Sequence, residues 1–195
     1  MKQELIPAYK DMEEQIKRIA KNKQKKSEPI CISGKPMYLP LKGHKIEVTY
    51  YKAKKRNAPI IFGTYGGEFI MDDYSYDNLF WEMISHEFEC NVVSISYKNF
   101  RKSKFPCAIN NVYDVICYFM DNASQLDFDK NKVIIFGSGI GANFATSAAL
   151  LDRTNNTNYI KTQILNYPYL DLSTNLNKQV CDKFISPDKY VNDVA

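Results

Sequence analysis

Apolar positions along the chain follow one rhythm near the start and another from about residue 58. Over Lys2 to Ala20, Leu5, Ile6, Tyr9, Met12, Ile16 and Ile19 recur at close to helical spacing against a charged face, which predicts an amphipathic helix laid over another surface. Residues 21–28 are polar and read as a linker. Two extended stretches follow, near Ile32 to Leu39 and Lys45 to Tyr51, and Lys42-Gly43-His44 between them suggests an antiparallel hairpin. Beyond Ala58, short apolar runs alternate with helical spacing. The predicted strands are Pro59 to Phe62, Asn91 to Tyr97, Lys132 to Phe136 and Ile160 to Leu165. The predicted helices are Tyr74 to Phe88, Pro106 to Met120 (with proline near its start, where it is tolerated) and Ile140 to Leu151.

Apolar runs of this kind suit strands covered on both faces, so the expected class is α/β with a mostly parallel sheet. The expected division is a helical segment and linker over 1–28 and a globular domain over 29–195. In such sheets ligands bind at the C-terminal ends of the strands. The loops after Phe62, Tyr97, Phe136 and Leu165 are therefore the ones to search.

Composition narrows the reading. Hydrophobic residues make up 45% of the 195, enough for one sizeable core, and a 13% aromatic share argues against disorder. The net charge of +4 is densest at 21–26 and 52–56, clusters too short for a nucleic-acid face. Five cysteines show no paired spacing, which predicts no metal centre; Cys90, Cys107 and Cys117 sit among apolar neighbours and read as core. No apolar run approaches the ~20 residues of a membrane span, and the first 26 residues lack the apolar stretch of a signal peptide. The expected location is the reducing cytoplasm.

The most informative stretch is Val133 to Asn143, Val-Ile-Ile-Phe-Gly-Ser-Gly-Ile-Gly-Ala-Asn. Gly137, Gly139 and Ala142 fit the dinucleotide fingerprint Gly-x-Gly-x-x-Gly/Ala. Gly137, Gly139 and Gly141 equally fit a nucleophile elbow, Gly-x-Ser-x-Gly, with glycine in place of the serine. The dinucleotide alternative wants an acidic residue at the end of the next strand, where Asn166-Tyr167-Pro168 stands.

Other segments favour the elbow. Tyr65-Gly66-Gly67-Glu68-Phe69 resembles the His-Gly-Gly-Gly-Phe oxyanion loop of the hormone-sensitive-lipase and acetyl-esterase group of α/β-hydrolases. Tyr97, Phe105-Pro106-Cys107-Ala108 and Asp114 resemble further motifs of that group, as do Gly137 to Asn143 and Tyr167-Pro168. The resemblance implies a carboxylic-ester hydrolase acting on small acyl esters without a cofactor. It also implies an N-terminal helical cap. The oxyanion donors would be the N–H groups of Gly66, Gly67 and Ile140, and Tyr65, Glu68 and Ser138 would line the pocket.

The chemistry is where this sequence departs from the group. Serine acyl transfer needs a nucleophile, a base and oxyanion donors. Gly139 has no side chain, and Ser138 beside it matches the group's Asp and points elsewhere in a tight turn. Glu68 brings a carboxylate towards the oxyanion loop, and Arg101-Lys102 stand where the group has Pro-Glu. The acid and base follow the serine in this fold, yet the two histidines are His44 and His86. The strands that carry the acid and base are expected to be missing from a chain that ends at Ala195. The expectation is a hydrolase-fold protein with impaired catalysis. A non-catalytic protein binding a ligand or partner is the first alternative, and a dinucleotide-binding domain the second.

Overall fold

A computed structural model describes residues 33–41, 44–67, 77–97 and 104–171. The chain divides into two units, Met1–Ile32 and Ser33–Ala195, and every described residue belongs to the second. The amphipathic helix expected over Lys2 to Ala20 thus lies outside the described residues.

Six strands form one sheet: β1 (Lys35–Leu41), β2 (His44–Tyr51), β3 (Ala58–Thr64), β4 (Asn91–Ile95), β5 (Phe128–Ser138) and β6 (Thr162–Asn166). The helices are α1 (Asn78–Glu87), α2 (Cys107–Asp121), the single turn α3 (Ala123–Leu126) and α4 (Ile140–Thr154). The strand order is β1-β2-β4-β3-β5-β6. β1 and β2 form the expected antiparallel hairpin, and β2 is also antiparallel to β4. β4, β3, β5 and β6 are mutually parallel.

Strand alternation divides the core between the two faces of the sheet. Ile61 stands level with Val92 on β4 and Ile134 on β5, and all three join the cluster around Trp81 of α1. Trp81 packs so closely on β3 that a β-carbon at Gly63 would come within 2.5 Å of its ring. One residue further on, Phe62 stands level with Val93 and Ile135 and faces the larger cluster under α2 and α4. α2 contributes Val112, Val115, Ile116, Phe119 and Met120, the i, i+3, i+4 stripe of a core-facing helix. α4 contributes Ala142, Ala145 and Ala148, whose small side chains suit close packing on the sheet.

Several element boundaries differ from the sequence reading. β5 begins at Phe128, not Lys132: Phe128 pairs with Ala58 across a register shift, and the polar Asp129-Lys130-Asn131-Lys132 carries no alternating signal. α3, one turn with no apolar period of its own, was not expected. β4 stops at Ile95, two residues short of Tyr97, and β6 spans Thr162–Asn166 where Ile160 to Leu165 was expected. α4 continues three residues past Leu151 to Thr154.

The winding reverses at β3. From β3 the chain crosses to β4 on one side, and β5 and β6 lie on the other. The C-terminal ends of β3 and β5 therefore flank a topological switch point, the usual ligand crevice of open α/β sheets.

Candidate active site

At that switch point, close packing of small residues joins the β3 loop to the turn between β5 and α4. Thr64, the last residue of β3, is level with Gly137 and fully buried. Its hydroxyl donates to the Gly141 carbonyl at 2.8 Å, with the Phe136 carbonyl at 3.1 Å. A β-carbon on Gly137 would lie 2.5 Å from the Ala142 Cα, and one on Gly141 would lie 2.5 Å from the Thr64 carbonyl oxygen and collide with that of Tyr65. The flanking glycines are therefore required by approach of backbone to backbone.

Gly139 between them is a different case. Its φ of 55° and ψ of −120° belong to a region that side-chain-bearing residues rarely adopt. A β-carbon there would meet no backbone closer than the Gly66 Cα at 3.9 Å, so the oxyanion-type loop stands directly beside the turn. Ile140 opens α4, and its N–H is among those that a helix start leaves without an intrahelical acceptor. These amides and the positive end of the α4 dipole favour a carbonyl or carboxylate oxygen at this place.

Main-chain bonds hold the turn from the β6 side. The Gly139 N–H donates to the Asn166 carbonyl at 3.0 Å, and the Gly139 carbonyl accepts from Ala142 at 3.2 Å and from Tyr169 at 3.4 Å. The Asn143 amide donates to the Tyr169 carbonyl at 2.9 Å.

Tyr65, expected to line the pocket, is 3% exposed. Its ring stacks on Tyr97 with centroids 4.3 Å apart, and the Tyr97 hydroxyl donates to the Tyr65 carbonyl at 2.6 Å. Burial, reinforced by Tyr65 and by the charge of Asp77, pushes the Tyr97 phenol well above its ordinary range, so it stays a neutral donor. Asp77 precedes the first turn of α1 without a side-chain capping bond, and burial raises its carboxyl as well. Ser138 ends β5 opposite Asn166 and shares the α1 side of the sheet with Phe136 by strand alternation. Glu68, Phe69, Arg101 and Lys102 lie outside the described residues, while Gly66 and Gly67 are half-buried in the loop.

Neither histidine belongs to this cluster. His86 lies in the last turn of α1, close in sequence to the start of β4 at Asn91, and is 73% exposed and 3.6 Å from Glu87. His44 opens β2, which β4 separates from β3. Among the described residues no group of three His, Cys, Asp or Glu side chains could hold a metal, and no helix is long and apolar enough to cross a membrane.

Tyr167, named in the sequence only as part of the Tyr-Pro motif, stands at this place too. Its ring borders the elbow, with Cε2 3.2 Å from where a Gly139 β-carbon would stand, and it is 66% exposed. The Tyr-Pro pair was visible in the sequence, but no local pattern indicated that the ring turns towards Gly139.

A family model described as alpha/beta hydrolase fold matches residues 61–193, which include the β3 loop and the elbow. The chain belongs to the α/β-hydrolase family. The arylesterase of Saccharolobus solfataricus is 28% identical over 140 residues, which are 71% of this chain and 46% of that protein. A putative alpha/beta hydrolase of Acanthamoeba polyphaga mimivirus is 30% identical over 124 residues, 64% of this chain and 36% of the relative. This α/β-hydrolase thus spans less than half the length of those curated relatives.

Among solved structures, one of an arylesterase superposes with a TM-score of 0.66 at 27% identity, over 78% of this chain and 51% of its own. A thermophilic carboxylesterase cloned from a metagenomic library gives a TM-score of 0.71 over 95% of this chain and 64% of its own, and at 24% identity it bears on the fold alone. The dinucleotide alternative, by contrast, still lacks its acidic residue at the end of β6.

Proposed function

We propose that this esterase-type fold binds a small acyl or carboxyl-bearing ligand at the elbow without transferring its acyl group. The observation that carries the reading is Gly139: the position that presents the nucleophile has no side chain. Its backbone conformation is that of an elbow, so the geometry supports a retained binding turn from which the reactive group has been deleted. What remains is suited to recognition. Gly66, Gly67 and Ile140 supply N–H donors beside the start of α4, where a ligand oxygen with partial or full negative charge is favoured. The reading needs no cofactor.

A second reading, a working carboxylic-ester hydrolase, is favoured by the likeness to the arylesterase. It requires a nucleophile other than residue 139. Ser138 is the nearest hydroxyl in sequence, and strand alternation directs it to the α1 side of the sheet. Purified protein assayed with p-nitrophenyl acetate separates the two. No turnover above the uncatalysed rate is expected. Turnover that a serine-directed phosphonate abolishes overturns the binding reading and restores the esterase.

A further inference from the structure

The two outer strands of the sheet differ in character. β1 carries Lys35, Pro36 and Pro40, and lysine and proline are residues that keep an edge from pairing with a further strand. β6 reads Thr162-Gln163-Ile164-Leu165-Asn166, with no charge, no proline and no glycine. Among the described residues only β5 pairs with it. Strands of a parallel sheet are ordinarily covered on both faces. In β6 four of the five residues are exposed, Ile164 by 42%.

The ladder to β5 decides which residues of β6 look outward. The Lys161 N–H donates to the Val133 carbonyl at 2.9 Å, so by alternation Gln163 and Leu165 also turn their backbone groups towards β5. Thr162 and Ile164 then present N–H and C=O away from the sheet. Ile164 is the middle residue of the strand.

We propose that β6 is a self-association edge whose partner is a second copy of this chain, with one sheet running through both. A two-fold axis at Ile164 pairs the edges antiparallel, and each Ile164 N–H donates to the carbonyl of the other. Thr162 of one copy then stands opposite Asn166 of the other, and Gln163 opposite Leu165. Side chains that meet share a face, so the two Ile164 side chains pack together. The register sets Lys161 level with Tyr167 of the second copy, which keeps like charges apart. Leu150 of α4 is 60% exposed, one turn from Arg153, which with Ala149 faces the start of β6. It extends the apolar surface on that side of the strand. The strand is its own complement in this register, as an interface between identical copies requires.

The test is sedimentation of the whole 195-residue chain across the micromolar range, where twice the mass of one chain is expected. Ile164→Lys sets two ammonium groups against each other at the axis and should halve that mass. Ile164→Pro removes the outward N–H and spares the bonds to β5. It should also halve the mass, with the circular dichroism spectrum retained. Tyr38→Lys, at an exposed position of β1, should leave the doubled mass in place. Wild-type protein that sediments as one copy would overturn the proposal. So would an Ile164→Lys or Ile164→Pro chain that keeps the doubled mass, or a Tyr38→Lys chain that loses it.

Discussion

Replacing Gly139 with serine puts a side chain on the proposed elbow and tests whether glycine is there for its backbone. At φ 55° and ψ −120° a residue with a β-carbon is held in a sparsely populated region, at a cost of about 1–3 kcal/mol. The new β-carbon would also stand 3.2 Å from Tyr167 Cε2, but that ring is exposed and can yield by a few tenths of an ångström, so contact adds little. Against this, losing glycine stiffens the unfolded chain, an effect of about 0.4–1 kcal/mol in the opposite direction. The net expectation is a loss of about 1–2 kcal/mol. For a chain of this size that lowers the melting temperature by roughly 2–8 °C. Thermal unfolding followed by circular dichroism measures it, with Gly139→Ala as the control for backbone strain without a hydroxyl. The two variants should fall together. An unchanged or higher melting temperature for both would refute the strained-elbow argument. Gly139→Ser should also fail to turn over p-nitrophenyl acetate, because His86 is in the last turn of α1, by the N-terminal end of β4, and β4 intervenes between β2, which His44 opens, and β3.

Three further outcomes follow from buried polar groups. Thr64→Val keeps the shape but leaves the Gly141 carbonyl without its 2.8 Å donor, so stability measured by urea unfolding should fall by about 1–3 kcal/mol; a change within about 0.5 would dismiss the clip between β3 and the elbow. Asp152 is 3% exposed and accepts from the Thr157 hydroxyl at 2.7 Å and from the amides of Tyr159 and Ile160 at 3.0 Å, which sets the approach to β6. Asp152→Ala should cost about 3 kcal/mol, and a loss below about 1 would show that water replaces the carboxylate. Tyr50 is pushed up to about 12, by burial first and by the charge of Asp127 second. The folded state keeps this proton after the unfolded phenol begins to lose its own. The contribution is therefore whole below pH 10 and declines between pH 10 and about 12, by about 2–3 kcal/mol in all. Urea midpoints across that window should fall less steeply in Tyr50→Phe, and parallel slopes would contradict the assignment.

Much of the fold was legible because its signals are local. The hairpin, the alternation of strands and helices and the elbow glycines follow from side-chain period and turn chemistry, which neighbouring residues set. The misread parts depend on partners far along the chain. The polar start of β5 is a strand only because Phe128 reaches Ala58, and α3 has too few residues to show a period. Tyr65 reads as pocket-lining beside the two glycines, yet Tyr97, 32 residues away, holds it in the core.

The sequence by itself determined the α/β class and the glycine-rich turn that leaves residue 139 without a side chain, since each is a matter of residue type and spacing. Only the tertiary structure decided the strand order, and with it that the C-terminal ends of β3 and β5 flank the crevice. It alone brought Gly66 to within 3.9 Å of the place of a Gly139 β-carbon and turned the ring of Tyr167 onto the elbow from the end of β6. Register between strands and close approach of backbones arise from packing the whole sheet at once, and no local pattern of residues encodes them.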